Sequence, residues 1–195
     1  KFQEKKFVYL TEEKADELIS SNAGPGDIIF THRGTLGQVA IIPYTVNFSR
    51  YVISQSQMKL SCNTTVIDPF FAYYYFISPK GQFDLLSNTS TTGVPAIAQP
   101  LTSLKRLSIP IPELNIQKKI VQILKTLDDA IDNLVEINNI LEKIIKLIFK
   151  SWFIDFDGQT EFVDSELGQI PKGWTVSIIS QFFDISPNYY LKKGI

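Results

Sequence analysis

Between Glu113 and Asp157 the chain contains neither proline nor glycine. That stretch constrains the fold more than any other. Steps of four and three residues from Ile120 reach Leu124, Leu127, Ile131, Leu134, Asn138, Leu141, Ile145, Ile148 and Trp152, and only Asn138 is polar. Such spacing predicts a heptad seam on a helix that packs lengthwise against another. Asn138 falls at an a position, where a polar residue fixes alignment at some cost in stability. Ile137, Ile140, Ile144 and Leu147 widen the apolar face and predict one more packed surface. A helix over residues 113–158, ended by Gly158, would run on the order of 60 Å at ~1.5 Å per residue. That exceeds the diameter of a small domain, so the helix is expected to project from one. Its most apolar part, Ile137 to Phe153, is interrupted by Asn138, Asn139, Glu142, Lys143, Lys146 and Lys150, so no membrane span is expected.

Residues 1–112 read as mixed α and β, making the chain α+β overall. Strands are expected over Lys6–Leu10, Asp27–Phe30, Gln38–Ile42 and Gln55–Leu60. Thr11 to Lys14 is a partial capping box opening a short helix to about Ser21. Gly24-Pro25-Gly26 is a turn, and Asp68-Pro69 starts an aromatic, buried helix over Phe70–Ile77. Ser87–Gly93 reads as a polar loop, and Leu107–Pro112 as an extended edge closed by Pro110 and Pro112. Residues 159–195 are a tail with too little apolar material to fold alone.

Composition narrows the function. Hydrophobic residues make up 44% of the chain, enough for a sizeable core. The formal net charge of −1 does not advertise a blanket grip on nucleic acid, although a local patch remains compatible with it. Residues 1–112 carry +2 and residues 113–195 carry −3. Cys62 is the lone cysteine and His32 the lone histidine, so neither a disulfide nor a common zinc arrangement is expected. A reducing, cytoplasmic setting fits. The chain opens on Lys1 with no signal-peptide pattern and is expected to be cut from a longer protein.

There is no Walker loop and no GxGxxG. Asp68-Pro69-Phe70-Phe71 comes near the motif of amino-methyltransferases, but the second proline and a glycine-rich cofactor loop are missing. The chain is expected to carry no catalytic residue, metal or cofactor of its own. Side chains able to read bases are better represented. In "GDIIFTHRGTLGQVAIIP", Gly34 and Gly37 permit a sharp tip between two apolar strands, displaying His32, Arg33 and Thr35. Arginine can donate two bonds to guanine, and Gln55, Gln57 and Gln99 can pair with adenine edges. Thr91, within the Ser87–Thr92 run, can hold a phosphate.

The tip, the passage "SNTSTTGVPAIAQPLTSLKRLSIPIPELNIQKKIVQIL", the helix ending "KSWFIDFDG" and the later "GQIPKGW" resemble the specificity subunit of type I restriction–modification systems. The likeness covers essentially the whole chain. It implies a non-catalytic subunit whose two target-recognition domains each read half of a split sequence in double-stranded DNA. Two long antiparallel helices set the spacing, DNA methyltransferase subunits dock on them, and a restriction–translocase subunit joins to cut. S-adenosylmethionine then belongs to one partner and ATP to the other. On this chain, residues 1–112 match the later part of a recognition domain and residues 113–158 one spacer helix. Residues 159–195, from 165 onward above all, match the opening of a recognition domain. A fragment or a half-subunit is implied, and for a half-subunit an antiparallel homodimer is the natural outcome. Two other readings stay open: a recognition fragment of a single-chain restriction–methylation enzyme, and a coiled-coil adaptor without DNA binding.

Overall fold

A computed structural model describes residues 2–4, 7–90 and 93–183. The fold is α+β, and the chain divides into two compact units, residues 1–129 and 130–195.

The first unit is built on a three-stranded antiparallel sheet. Strand β2 (Ile28–Thr31) lies between β3 (Val39–Ile41) and β5 (Gln57–Leu60), with Ile28 opposite both Ile41 and Leu60. Two-residue strands β1 (Asn22–Ala23) and β4 (Tyr51–Val52) pair separately. Alternation along β2 sorts its side chains. Ile28 and Phe30 are fully buried with Val39, Ile41 and Met58, while Ile29 joins a smaller cluster with Ala23 and Ile42.

Helices α2 (Pro69–Ile77) and α3 (Pro79–Leu86) supply Ala72, Tyr73, Phe76 and Leu85 to the main core. Phe30 and Phe76 meet edge to face, with ring centres 5.0 Å apart. Asp68 caps α2 by accepting from the Phe70 and Phe71 amides at 2.8 and 3.3 Å. Ser78 ends α2 and caps α3, accepting from the Gly81 amide at 3.2 Å. An added Cβ at Gly81 would overlap the Tyr75 carbonyl, so only glycine lets the two helices sit this close.

The capping threonine is as expected. Thr11 Oγ1 accepts from the Lys14 amide at 3.3 Å, but α1 (Glu12–Glu17) stops early and a 3-10 turn, Ile19–Ser21, completes the segment. Residues 7–10 form no strand, because no neighbouring strand pairs with them, and Val8 and Tyr9 are 89% and 76% exposed. The expected edge strand at Leu107–Pro112 forms no ladder. Pro110 and Pro112 have no N–H to give, and Leu107 and Ile109 pack on the main cluster instead. The polar loop after Ser87 contains a short strand, β6 (Thr89–Ser90), paired with β7 (Ala96–Ile97). Helix α4 follows over Pro100–Lys105.

Helix α5 runs unbroken over Leu114–Phe153, 40 residues. It ends before Gly158. The amides of Ile154 and Asp155 return to the Lys150 carbonyl at 3.0 and 2.8 Å, and that of Asp157 to the Ser151 carbonyl at 2.8 Å. Phe156, at φ 56°, makes the left-handed turn expected of glycine, while the Asp155 carboxylate pairs with Lys150.

In the second unit the segment expected as a tail contains a hairpin, β8 (Phe162–Ser165) with β9 (Gly168–Pro171). Glu166 and Leu167 form its turn, closed by Gly168 at φ 94°. Trp174 meets Phe156 edge to face at 5.4 Å and lies 6.1 Å from Phe153. Beyond it, Ile178, Phe182 and Phe183 are each about two-thirds exposed, at 66%, 69% and 67%.

Candidate nucleic-acid interface

The β2–β3 tip is held from three directions. The Thr31 amide donates to the Gln38 carbonyl at 3.0 Å, across the hairpin itself. The His32 amide donates to the Ser56 carbonyl at 2.9 Å, and the ring Nε2–H to the Gln55 carbonyl at 3.1 Å. On the other side the His32 carbonyl accepts from the Ile97 amide at 2.9 Å, the Gly34 amide donates to the Pro95 carbonyl at 2.8 Å, and Arg33 bridges Ala96. Gly34 and Gly37 take φ of 89° and 79°, a backbone path that side chains resist.

This bracing sorts the expected site residues. His32 is half-buried, and its ring ties the tip to the 54–57 loop. Arg33 and Thr35 are exposed, and Arg33 has no carboxylate partner among the described residues. Gln55 is exposed in the same loop. Gln57 is committed locally, its Oε1 accepting from the Ser54 amide and hydroxyl at 3.1 and 3.2 Å. Gln99 is exposed, two residues beyond Ile97, with a left-handed backbone at φ 44°. Thr91 lies outside the described residues. The tip, the 54–57 loop and the 95–99 segment thus share one hydrogen-bonded edge. Hydroxyls and amides there suit both phosphate oxygens and base edges.

The seam on α5 changes character along its length. Gln117 and Val121 are buried, and Ile120 and Leu124 are half-buried. From Leu127 onward the seam is open: Leu127 is 58% exposed, Leu134 64%, Ile145 65% and Trp152 59%. Ile131, Leu141 and Ile148 are exposed with them, as is Asn138. The flanking Ile137, Ile140, Ile144 and Leu147 are exposed as well.

One residue that matters here escapes a reading by residue type. Gln117 is a fully buried polar side chain, at 0% exposure. Its Oε1 accepts from the Asp68 amide at 2.8 Å, and its Nε2 donates to the carbonyls of Val66 and Pro112 at 3.0 and 2.7 Å. It locks the first turn of α5 to the loop that starts α2. Its sequence signal is position: seven residues before Leu124, it extends the a positions of the seam with a polar group. Farther along, the Tyr74 hydroxyl donates to Asp128 at 3.0 Å, and Lys125 lies over the Phe70 ring at 5.7 Å. Burial, then the bond to Asp128, pushes the Tyr74 phenol well above its ordinary pKa.

The family model described as the type I restriction modification DNA specificity domain matches residues 6–143. The chain belongs to that family. This specificity domain is 32% identical over 183 residues to the MjaIX type I restriction enzyme specificity subunit of Methanocaldococcus jannaschii, across 90% of this chain and 40% of that protein. It is 32% identical over 135 residues to the HindI specificity subunit of Haemophilus influenzae, across 68% of the chain and 28% of the relative. The MjaVIII specificity subunit of M. jannaschii is 29% identical over 143 residues, 72% of the chain and 32% of the relative. The specificity domain therefore spans 40% or less of the length of these curated relatives. Among the described residues no helix is long and apolar enough to cross a membrane.

Proposed function

We propose that this chain is the DNA-reading and scaffold part of a type I restriction–modification specificity subunit, non-catalytic itself and working in the cytoplasm. Residues 1–112 are the later part of a target-recognition domain, which reads double-stranded DNA with the edge built around Arg33. Residues 113–158 are the spacer, and residues 159–195 open a further recognition domain. The seam from Leu127 to Trp152 takes a second, antiparallel helix, from a second copy if the chain acts as a half-subunit. The neighbouring stripe through Ile137, Ile140, Ile144 and Leu147 receives a methyltransferase subunit, and a restriction–translocase subunit completes the assembly.

The observation that carries the DNA reading is the exposed Arg33, without a carboxylate partner among the described residues, on a tip braced by the 54–57 and 95–97 segments. An internal ion pair would be the expected sign of a purely structural arginine. The test is Arg33→Ala in the complex with methyltransferase subunits, scored on a randomised duplex library. If Arg33 reads a base, specific binding weakens by ~1–3 kcal/mol and preference relaxes at one position. If it holds a phosphate, all sequences weaken alike and the salt dependence loses about one contact. Unchanged binding by a variant with a lowered melting temperature would make the tip structural.

A further inference from the structure

Among the described residues two without the freedom of glycine occupy the left-handed backbone region, Gln99 at φ 44° and Phe156 at φ 56°. Such strain persists only where its surroundings enforce it, and it gathers at functional positions. For Phe156 the folded chain offers compensation, because its ring packs against Trp174 at 5.4 Å and Phe162 at 6.3 Å. Gln99 has none of this. Its side chain is exposed and has no hydrogen-bond partner among the described residues.

The backbone on both sides of Gln99 is nevertheless fixed. The Ala98 amide donates to the Asn88 carbonyl at 2.8 Å. The Ala98 carbonyl accepts from Ser103 Oγ at 2.6 Å and from Asn88 Nδ2 at 3.2 Å. Asn88 Nδ2 also donates to Ser103 Oγ at 2.9 Å, and the Gln99 carbonyl accepts from the Ser103 amide at 2.9 Å. Glycine would hold this path with less strain. A glutamine stands there, and the only thing it adds is a primary amide aimed away from the fold on a stiff mount.

We propose that Gln99 is a specificity-determining residue that reads the adenine of an A·T pair in the major groove. The inference rests on the DNA-recognition reading above and assigns one position of it. A glutamine amide places an acceptor and a donor side by side, matching adenine N6 and N7. Its location agrees, since Ile97, two residues earlier, is bonded to His32 at the base of the tip that carries Arg33. Among the other candidate glutamines, Gln57 is engaged with Ser54. Gln55 lends its carbonyl to the His32 ring, and its backbone lacks the left-handed constraint. A backbone held this way forfeits less freedom on binding than a mobile loop would.

The experiment compares the full chain, Gln99→Gly and Gln99→Glu, each assembled with methyltransferase subunits and selected against a randomised duplex library. The wild-type complex should enrich one motif containing an A·T position that Gln99→Gly no longer prefers. The loss there should be about 5- to 150-fold, with the other positions kept. Because glycine relieves the backbone, Gln99→Gly should melt no lower than wild type. Gln99→Glu, which can only accept, should lose adenine and favour the exocyclic amine of cytosine. Three results would overturn the inference. One is an unchanged motif with Gln99→Gly. Another is a lower melting temperature or uniform weakening on all sequences, which makes Gln99 a holder of backbone or phosphate. The last is a wild-type complex that enriches nothing, in which case the DNA-recognition reading falls as well.

Discussion

Ile28 and Phe30 on β2 are at 0% exposure under the chain's own helices, whereas Leu134 and Ile145 on α5 stand at 64% and 65%. Both regions carry a regular apolar pattern, period two in one and the four–three heptad in the other. In the sheet, the pattern is answered within the same unit by α2 and α3. Along the helix from Leu127 onward, the seam side chains are exposed among the described residues. A seam of this length left to water would cost about 25 cal/mol for every Å² of apolar surface not removed. The first region therefore stores what is needed to fold, and on the function proposed above the second stores what is needed to assemble.

The sharpest way to break this contrast is to truncate one residue of each kind. Phe30→Ala should cost about 3–5 kcal/mol of unfolding free energy at any protein concentration, as large core truncations do. Leu134→Ala should leave the unfolding of dilute protein within about 0.5 kcal/mol of wild type. In the associated form the same change should raise the apparent dissociation constant by at least about 30-fold, since a buried leucine loses ~2 kcal/mol or more. Denaturant titration at two concentrations, with light scattering, reads both. Equal, concentration-independent losses for the two variants would show that the helix face is buried within its own chain.

Gln117 tests the place where the two regimes meet. Gln117→Leu roughly keeps the volume but strips partners from the Asp68 amide and the Val66 and Pro112 carbonyls. A buried group without a partner costs about 1–3 kcal/mol, so the variant should lose about 3 kcal/mol after local relaxation. Gln117→Glu should lose at least as much at neutral pH, because the carboxylate keeps the Asp68 amide but turns an acceptor on the Val66 and Pro112 carbonyls and buries a charge without a counter-ion. Denaturation of both variants decides the matter, and a neutral Gln117→Leu would mean that packing alone seats the helix.

The same contrast explains what was legible in the sequence. The seam, the antiparallel strands around the tip and the capped helix after Asp68-Pro69 each follow from a local rule, periodicity or capping, and each is present. Helix α3, which no sequence expectation covered, contains Pro79 and Gly81. Their reasons are tertiary: proline at the first turn after Ser78, and glycine where Tyr75 leaves no room for a Cβ. The strand expected at Lys6–Leu10 had the right residues, but residues 7–10 find no pairing neighbour among the described residues, and Lys6 lies outside them. The candidate site divided along similar lines. Residue type nominated Arg33 and Gln99, but it could not show that Gln57 is occupied by Ser54, three residues away, or that Gln117 is a buried clip on Asp68 and Val66, because hydrogen-bond geometry decides both.

The smallest expected effect concerns the second tie of α5, between Tyr74 and Asp128. Burial comes first and the Asp128 hydrogen bond second in raising the Tyr74 phenol, with the charges of Asp128, Tyr73 and Asp129 adding to it. The native state therefore favours the protonated phenol. The resulting stability is fully present below the unfolded tyrosine value of about 10 and drains away as pH rises past it toward the higher folded value. Tyr74→Phe should cost about 1 kcal/mol at neutral pH, the usual worth of one such bond, and should lose less of its remaining stability above pH ~10 than wild type does. Some alkaline loss must persist in the variant. Tyr51 is raised by burial and then by Glu4, and Tyr75 by its bond to Asp84 and then by burial, and both remain. Melting curves from pH 7 upward, overlaid for the two proteins, check this directly. Parallel alkaline limbs would mean that the Tyr74–Asp128 bond does not fasten the helix, leaving Gln117 and the Lys125–Phe70 contact to hold α5 on the sheet-bearing unit.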